Sequence, residues 1–173
     1  PYQQDLSEFK DKLDTIPKGH NSASDYHNIM IGILEAIFYP NLIYPIKEEH
    51  LHDGRKRVDI TYQNASHTGF FEYLANHVIS PFIMCECKNY NEDPGNPEFD
   101  QLSSRFSVRR GKFGILLCRE IEDRNLVLQR CKDTANDDRG NIIVLDDTDI
   151  KTLLDFKINN DENSINEFMS NKY

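Results

Sequence analysis

The chain has 173 residues, of which 38% are hydrophobic and 28% charged, a composition that suits one ordinary globular domain. Its net charge of −9 argues against binding of polyanions by the whole surface. No apolar run reaches the roughly 20 residues of a membrane-spanning helix, and the first residues lack the pattern of a signal peptide. We therefore expect a protein without membrane contact. Because residue 1 is Pro and not Met, we also expect a processed chain or a domain of a longer protein.

Apolar spacing and turn signals divide the chain into helices and strands. Residues 26–38 have helical spacing, with N-cap groups before them and Pro40 after them. Asp53-Gly54 between two extended runs is a strong hairpin signal. The predicted helices are 6–13, 26–38, 98–109, 125–135 and 147–156, and the predicted strands are 42–51, 57–63, 79–87, 113–118 and 141–145. Residues 70–77 fit either a short helix or an irregular connection, and 157–173 fit a loosely packed tail with a short helix.

This order of elements predicts an α/β fold. A hairpin followed by strand-helix-strand units gives a central mixed β-sheet flanked by helices. We expect a single domain over residues 1–173, with its core at about 26–145.

The cysteines and histidines do not have the spacing of a zinc site. Cys85 and Cys87 form C-x-C, and no His stands at finger-like spacing beside Cys118 or Cys131. The first three lie in apolar, strand-like runs, where a free Cys packs as a small hydrophobic group. We expect buried structural thiols, and therefore a protein of the reducing cytoplasm.

Charged residues interrupt two of the predicted strands. Side chains alternate along a strand, so Glu86 and Lys88 share one face at the end of an apolar run. Asp59 likewise stands between apolar neighbours in an earlier strand. Burial of charge at a strand end is costly unless the charge is paired or bound to a metal. The alternative without a functional role is a surface salt bridge between Glu86 and Lys88, with Asp59 as a solvated acid.

If these two strands are neighbours, their carboxylates converge. Two carboxylates, with water and phosphate oxygens, suit Mg²⁺. The metal would lower the pKa of a bound water and neutralise charge on a phosphate. Lys88 could orient that water or stabilise the negative charge that develops.

Asp59 followed by Glu86-Cys87-Lys88 resembles the core motif of the restriction-endonuclease-like superfamily, the PD-(D/E)xK nucleases. The predicted order of elements over about 26–145 is similar to the common core of that fold. The resemblance implies metal-dependent cleavage of DNA, less often RNA, with Mg²⁺ as cofactor and Mn²⁺ as its substitute. It implies that Asp59, Glu86 and the backbone carbonyl of Cys87 bind the metal and that Lys88 is the catalytic lysine. Val58 departs from the motif, which has Pro at its first position.

The resemblance also implies roles for two helical residues. Glu35, on the helix before the hairpin, matches a further metal-binding and catalytic acid, and Gln101 matches a catalytic glutamine after the motif lysine. The alternative for both is an ordinary solvated side chain on a helix.

Two basic clusters are candidates for nucleic-acid contact. Arg105 and Arg109 are four residues apart and would share one side of the predicted helix, with Arg110 beside them. Arg55, Lys56 and Arg57 form the second cluster, beside the predicted hairpin turn. A solvated surface is the alternative for both clusters.

The function hypothesis is hydrolysis of a DNA phosphodiester bond by a metal-activated water, as the effector domain of a restriction or anti-phage defence protein. The alternatives are an RNase of the same fold, a non-catalytic module that binds nucleic acid or a partner, and an unrelated interaction domain in which the motif arose by chance. DNA is the expected partner, RNA less so, with a homodimer or further domains of a longer chain as the expected source of additional affinity.

Overall fold

A computed structural model describes residues 2–52 and 55–173, with side chains described for 5–47 and 60–173. The helices are α1 (Tyr2–Thr15), α2 (Ala23–Phe38), α3 (Gly69–His77), α4 (Asn96–Ser103), α5 (Arg124–Asn136), α6 (Asp147–Ile158) and α7 (Glu162–Lys172), with a short 3-10 helix at His20–Ser22. The strands are β1 (Leu42–His52), β2 (Arg55–Asn64), β3 (Phe82–Lys88), β4 (Phe113–Cys118) and β5 (Asn141–Leu145). The predicted turn at Asp53-Gly54 lies outside the described residues.

The five strands form one mixed sheet in the order β1-β2-β3-β4-β5. β1, β2 and β3 are antiparallel neighbours, whereas β3, β4 and β5 run parallel and are joined through α4 and α5. The predicted α/β class, with a central mixed sheet flanked by helices, is confirmed. Because β3, β4 and β5 are parallel, their carboxyl ends lie at one edge of the sheet, where ligands commonly bind in open α/β sheets.

Apolar side chains cover the two faces of the sheet unequally. One face packs against α1, α2, α3, α6 and α7, and the large core there includes Cys85 and Cys87 of β3. The opposite face packs against α4 and α5, and its smaller core includes Met84 of β3. Glu86 and Lys88 alternate with the two cysteines along β3, so they lie on the α4 side.

The β1–β2 ladder is longer than the rest of the sheet. Residues 55–58 of β2 pair with β1, whereas the pairing of β2 with β3 begins at Asp59. β1 and β2 therefore form a two-stranded extension of the sheet, which continues past the carboxyl end of β3.

The structure corrects the predicted helix over residues 98–109. α4 ends at Ser103, and Ser107 and Gly111 then form a small antiparallel bridge that closes a tight turn. The turn depends on Gly111, whose φ of 93° favours glycine and where a Cβ atom would meet Ser80 at 2.4 Å. Arg105, Arg109 and Arg110 therefore do not share a helix face.

The C-terminal tail is also packed more tightly than predicted. α7 buries Ile165 and Met169 in the large core, and the Asn166 side chain accepts a hydrogen bond of 2.9 Å from the Phe70 N–H. The predicted loosely packed end is therefore wrong, since these apolar residues stand four apart and form the buried side of a helix.

None of the described helices combines the length and the apolar character that crossing a bilayer requires.

Candidate functional site

Glu86 and Lys88 form a buried ion pair at the carboxyl end of β3. Lys88 Nζ lies 3.0 Å from Glu86 Oε1, and only 6% and 1% of the respective side chains are exposed. Charges so deep in a protein lose most of their hydration, and the pair repays that cost only with good geometry and additional hydrogen bonds. The two residues are therefore held in place by the fold rather than exposed as a mobile surface pair.

The backbone brings residue 59 to this pair. Asp59 of β2 is the direct register partner of Glu86 on β3. Directly opposed positions of antiparallel strands lie on the same face, about 4.5–5.5 Å apart at Cβ. The side chain of Asp59 is outside the described side chains, so the convergence rests on the register alone.

Three further groups surround the Lys88 ammonium. Its Nζ lies 3.5 Å from Gln101 Oε1, 4.0 Å from Glu98 Oε1 and 5.4 Å from the centre of the Tyr90 ring. Gln101, predicted from the sequence, is thus brought to the pair by α4, whereas Glu98 and Tyr90 were missed. An ammonium has three N–H donors, and the oxygens of Glu86, Gln101 and Glu98 lie around it.

The backbone carbonyl of Cys87, predicted as a metal ligand, contacts a histidine. The Nε2 of His27, on the first turns of α2, lies 3.0 Å from the Cys87 oxygen, and both residues are buried. A carbonyl oxygen has two lone pairs, so this contact occupies one of them. His27 was not predicted as a site residue. The spacing of the sequence could have indicated it, because His27 stands three residues before Met30 and seven before Leu34, in line with the apolar side of the predicted helix.

Glu35 lies apart from the Glu86–Lys88 pair. It is exposed on α2, and α2 packs on the face of the sheet that bears Cys85 and Cys87, opposite the face of Glu86. The residue of α2 that reaches the end of β3 is His27, eight positions earlier along the helix. The role predicted for Glu35 stays a prediction, and among the described side chains no contact joins it to the pair.

The basic residues fall into two groups with different positions. Arg109 and Arg110 are exposed at the Ser107–Gly111 turn, where the Arg110 carbonyl accepts from the N–H of Phe82, the first residue of β3. They therefore lie at the opposite end of β3 from Lys88, about 20 Å away at the rise of a strand. Arg105 lies between α4 and that turn. The backbone of Arg55, Lys56 and Arg57 lies in the two-stranded extension, at the same end as Lys88, although their side chains are not described.

A buried arginine frames the site. Arg119 donates through Nε to Asp147 Oδ2 and through Nη1 to Asn89 Oδ1, both at 2.8 Å. Its guanidinium also donates to the carbonyls of Leu13, in α1, and of Ile16, just after α1. Asn89, next to Lys88, donates in turn to the Pro17 and Gly19 carbonyls. Burial raises the pKa of Asp147, with Arg119 opposing that effect. This network fixes the chain immediately after Lys88.

The loop between β3 and α4 is fixed as well. Asp93 accepts hydrogen bonds of 2.8 Å from the Glu122 and Asp123 N–H groups, and Arg130 of α5 donates to the Pro94 carbonyl at 2.6 Å. Glu98 Oε2 accepts from the Gly95 N–H at 2.8 Å. These hydrogen bonds attach the loop between β3 and α4 to α5 and to the residues just before α5.

The oxygen ligands available at this site are of the type that a hard divalent cation such as Mg²⁺ binds. The buried carboxylate of Glu86 and the acid at position 59 supply oxygen, which Mg²⁺ prefers, and Glu98 adds a third carboxylate nearby. Among the side chains the structure describes, which exclude that of Asp59, no group of three or more His, Cys, Asp or Glu is arranged to hold a metal. All four cysteines are free thiols, and three of them are buried as expected.

Comparison with protein-family models found no matching family, and comparisons with curated proteins and with solved structures found no match either.

Proposed function

We propose that this chain is a metal-dependent nuclease that hydrolyses a DNA phosphodiester bond at the Glu86–Lys88 pair. The observation that carries the proposal is a buried ion pair of 3.0 Å at the carboxyl end of β3, directly opposite the acid at position 59. A buried ion pair is often no more stabilising than well-packed apolar side chains. Its presence at the carboxyl end of the central strand, with a second acid at the opposing position of β2, therefore favours a chemical role over a structural one.

The residues have separable tasks in this proposal. Glu86 and Asp59 would hold Mg²⁺, or Mn²⁺ in its place; the bound ion would neutralise phosphate charge and lower the pKa of a coordinated water. The ammonium of Lys88 would donate to the phosphate or to the attacking water, where negative charge develops. Gln101 would keep Lys88 in place through the contact at 3.5 Å.

The face of β2 on the Glu86 side of the sheet is partly exposed, which supports access for a nucleic acid. α4 and α5 pack over β3, β4 and β5, whereas the same face of β2 carries Thr61, partly exposed, and Gln63, exposed. These residues lie on the face of Glu86, because Thr61 pairs with Met84 and Gln63 with Phe82. A strand of DNA on this polar surface would lie beside the two-stranded extension that carries Arg55, Lys56 and Arg57.

Non-catalytic binding of nucleic acid is the second candidate function. It is favoured by the small exposure of Glu86 and Lys88, since a reacting phosphate must come within contact of both side chains. The two functions differ in their products, because binding alone leaves the phosphodiester bond intact.

Cleavage assays separate these functions. Wild-type protein would be incubated with plasmid, single-stranded DNA and RNA in Mg²⁺, in Mn²⁺ and in EDTA, alongside Asp59→Asn and Glu86→Gln. We expect wild-type protein to cleave DNA only with a divalent ion, and each variant to be slower by about 10²–10³-fold while it still folds. Binding without cleavage under every condition would favour the second candidate, and cleavage of RNA alone would correct the substrate.

A further inference from the structure

We propose that Glu98 is a positioning residue that holds Lys88 when a divalent cation occupies Glu86; the inference rests on the proposed function. Two carboxylates face one ammonium, with Glu86 Oε1 at 3.0 Å and Glu98 Oε1 at 4.0 Å from Lys88 Nζ. The nearer carboxylate is the proposed metal ligand. The farther one is then available as a second counter-ion for the lysine.

Glu98 is already oriented for this task. Glu98 lies in the first turn of α4, and its Oε2 accepts a hydrogen bond of 2.8 Å from the N–H of Gly95, the residue before the helix. Only 16% of the Glu98 side chain is exposed. This contact leaves Oε1 directed at Lys88. Because the hydrogen bond to Gly95 already fixes the Glu98 side chain, little rotamer entropy is lost when it takes over the ammonium.

Electrostatics requires such a second partner. A divalent ion on Glu86 both shares that carboxylate and repels the ammonium beside it. A shift of about 1 Å brings Lys88 Nζ from its present distance to a charge-assisted hydrogen bond with Glu98. Gln101 Oε1, at 3.5 Å from the present position of Nζ, is a further acceptor beside it. Lys88 would therefore stay at the site as a donor while Glu86 binds the metal.

A purely local role for Glu98 is the competing explanation. Its hydrogen bond to Gly95 also caps α4, and loss of a cap destabilises a helix by itself. Glu98→Gln separates the two roles, because the amide oxygen still accepts from Gly95 while the negative charge is removed. Glu92→Gln is a matched control, since Glu92 is an exposed acid of the loop that leads into α4.

A double-mutant cycle in Mg²⁺ affinity tests the inference. Mg²⁺ binding would be measured by calorimetry, without substrate, for wild-type protein, Glu98→Gln, Lys88→Met and the double variant. We expect Glu98→Gln to weaken Mg²⁺ binding about tenfold when Lys88 is present and no more than about twofold in the Lys88→Met background. Glu92→Gln should change Mg²⁺ affinity less than about twofold, and the melting temperature of Glu98→Gln should remain that of wild type.

The outcomes distinguish failure of the inference from failure of the proposed function. Equal effects of Glu98→Gln in the two backgrounds, or no effect in either, would overturn the role of Glu98 and leave the metal site standing. A wild-type protein that binds no Mg²⁺ would overturn both.

Discussion

Lys88 and Glu86 lie two residues apart on β3, and their charged atoms are 3.0 Å from each other in a region almost closed to solvent. Neither side chain can lose its partner without leaving a charge in a poorly hydrated place. The stability of the protein should therefore depend on the pair being matched, whether or not the pair is chemically active.

Removal of one partner should cost more stability than removal of both. We expect Lys88→Met to lower the free energy of unfolding by about 3–5 kcal/mol in EDTA, because the Glu86 carboxylate stays buried after the cation 3.0 Å from it is removed. The double variant Glu86→Gln/Lys88→Met should recover most of that loss. Urea unfolding of wild-type protein, Lys88→Met and the double variant measures this directly, and a double variant no more stable than Lys88→Met would contradict the expectation.

Arg119 should be essential for folding rather than for nucleic-acid binding. Its side chain is buried and donates to Asp147, Asn89 and the Ile16 carbonyl, each at 2.8 Å. We expect Arg119→Met to cost about 3–5 kcal/mol of unfolding free energy, because the Asp147 carboxylate loses its cation. Arg110→Met, at an exposed position, should stay within about 0.5 kcal/mol of wild type in the same denaturation experiment. If Arg119→Met lost no more unfolding free energy than Arg110→Met, the hydrogen bonds of Arg119 would not stabilise the fold.

The C-terminal helix should contribute to the stability of the whole domain. Met169 is completely buried between α7 and the large core. We expect Met169→Ala to lower the free energy of unfolding by about 2–5 kcal/mol, because it leaves a cavity. Glu167→Ala, at an exposed position of the same helix, serves as the control. If the thermal unfolding transitions of both variants match wild type, the tail is not part of the folded unit.

Cys131 should react slowly and with a strong pH dependence. Burial raises the pKa of its thiol from 9.0 to about 11, so at pH 8 its thiolate is about a hundredfold rarer than that of an ordinary thiol. Alkylation of the native protein by iodoacetamide should accelerate about tenfold per pH unit between pH 7.5 and 9.5. Because the pKa is higher in the folded chain, the stabilising contribution of the thiol is complete below pH 9.0 and is lost as the pH rises through about 11. Mass spectrometry of the modified peptide measures the rate, and a plateau below pH 9.5 would contradict the raised pKa.

Elements with uninterrupted apolar patterns could be predicted from the sequence. The bounds of β4 and β5 match their predicted ranges, because each is an apolar run with turn residues at both ends. The third strand was predicted to begin at 79, but it begins at Phe82. Ile79 has a φ of 50°, is largely exposed and therefore lies in the turn before the strand. Local hydrophobicity does not report that backbone conformation.

The centre of the candidate site was predictable to the extent that it depends on strand alternation. Glu86 and Lys88 share a face by periodicity alone, whereas the convergence of Asp59 with Glu86 was conditional on β2 and β3 being neighbours, and their register comes from the structure. Glu98 and His27 reach the site through tertiary contacts between separate elements, which periodicity does not encode. A pattern did exist for Glu98, three residues after Gly95 at a helix start, where an acid commonly returns to the N-cap backbone.

The rate of Mg²⁺-dependent plasmid nicking by Lys88→Met, compared with wild type at saturating Mg²⁺, tests the central claim most directly. We expect the variant to bind Mg²⁺ and to nick DNA at least about a hundredfold more slowly, because the ammonium that faces the developing charge is gone. Equal nicking rates in the two proteins, with both folded and metal-bound, would contradict the assignment of Lys88 and of the site built around it.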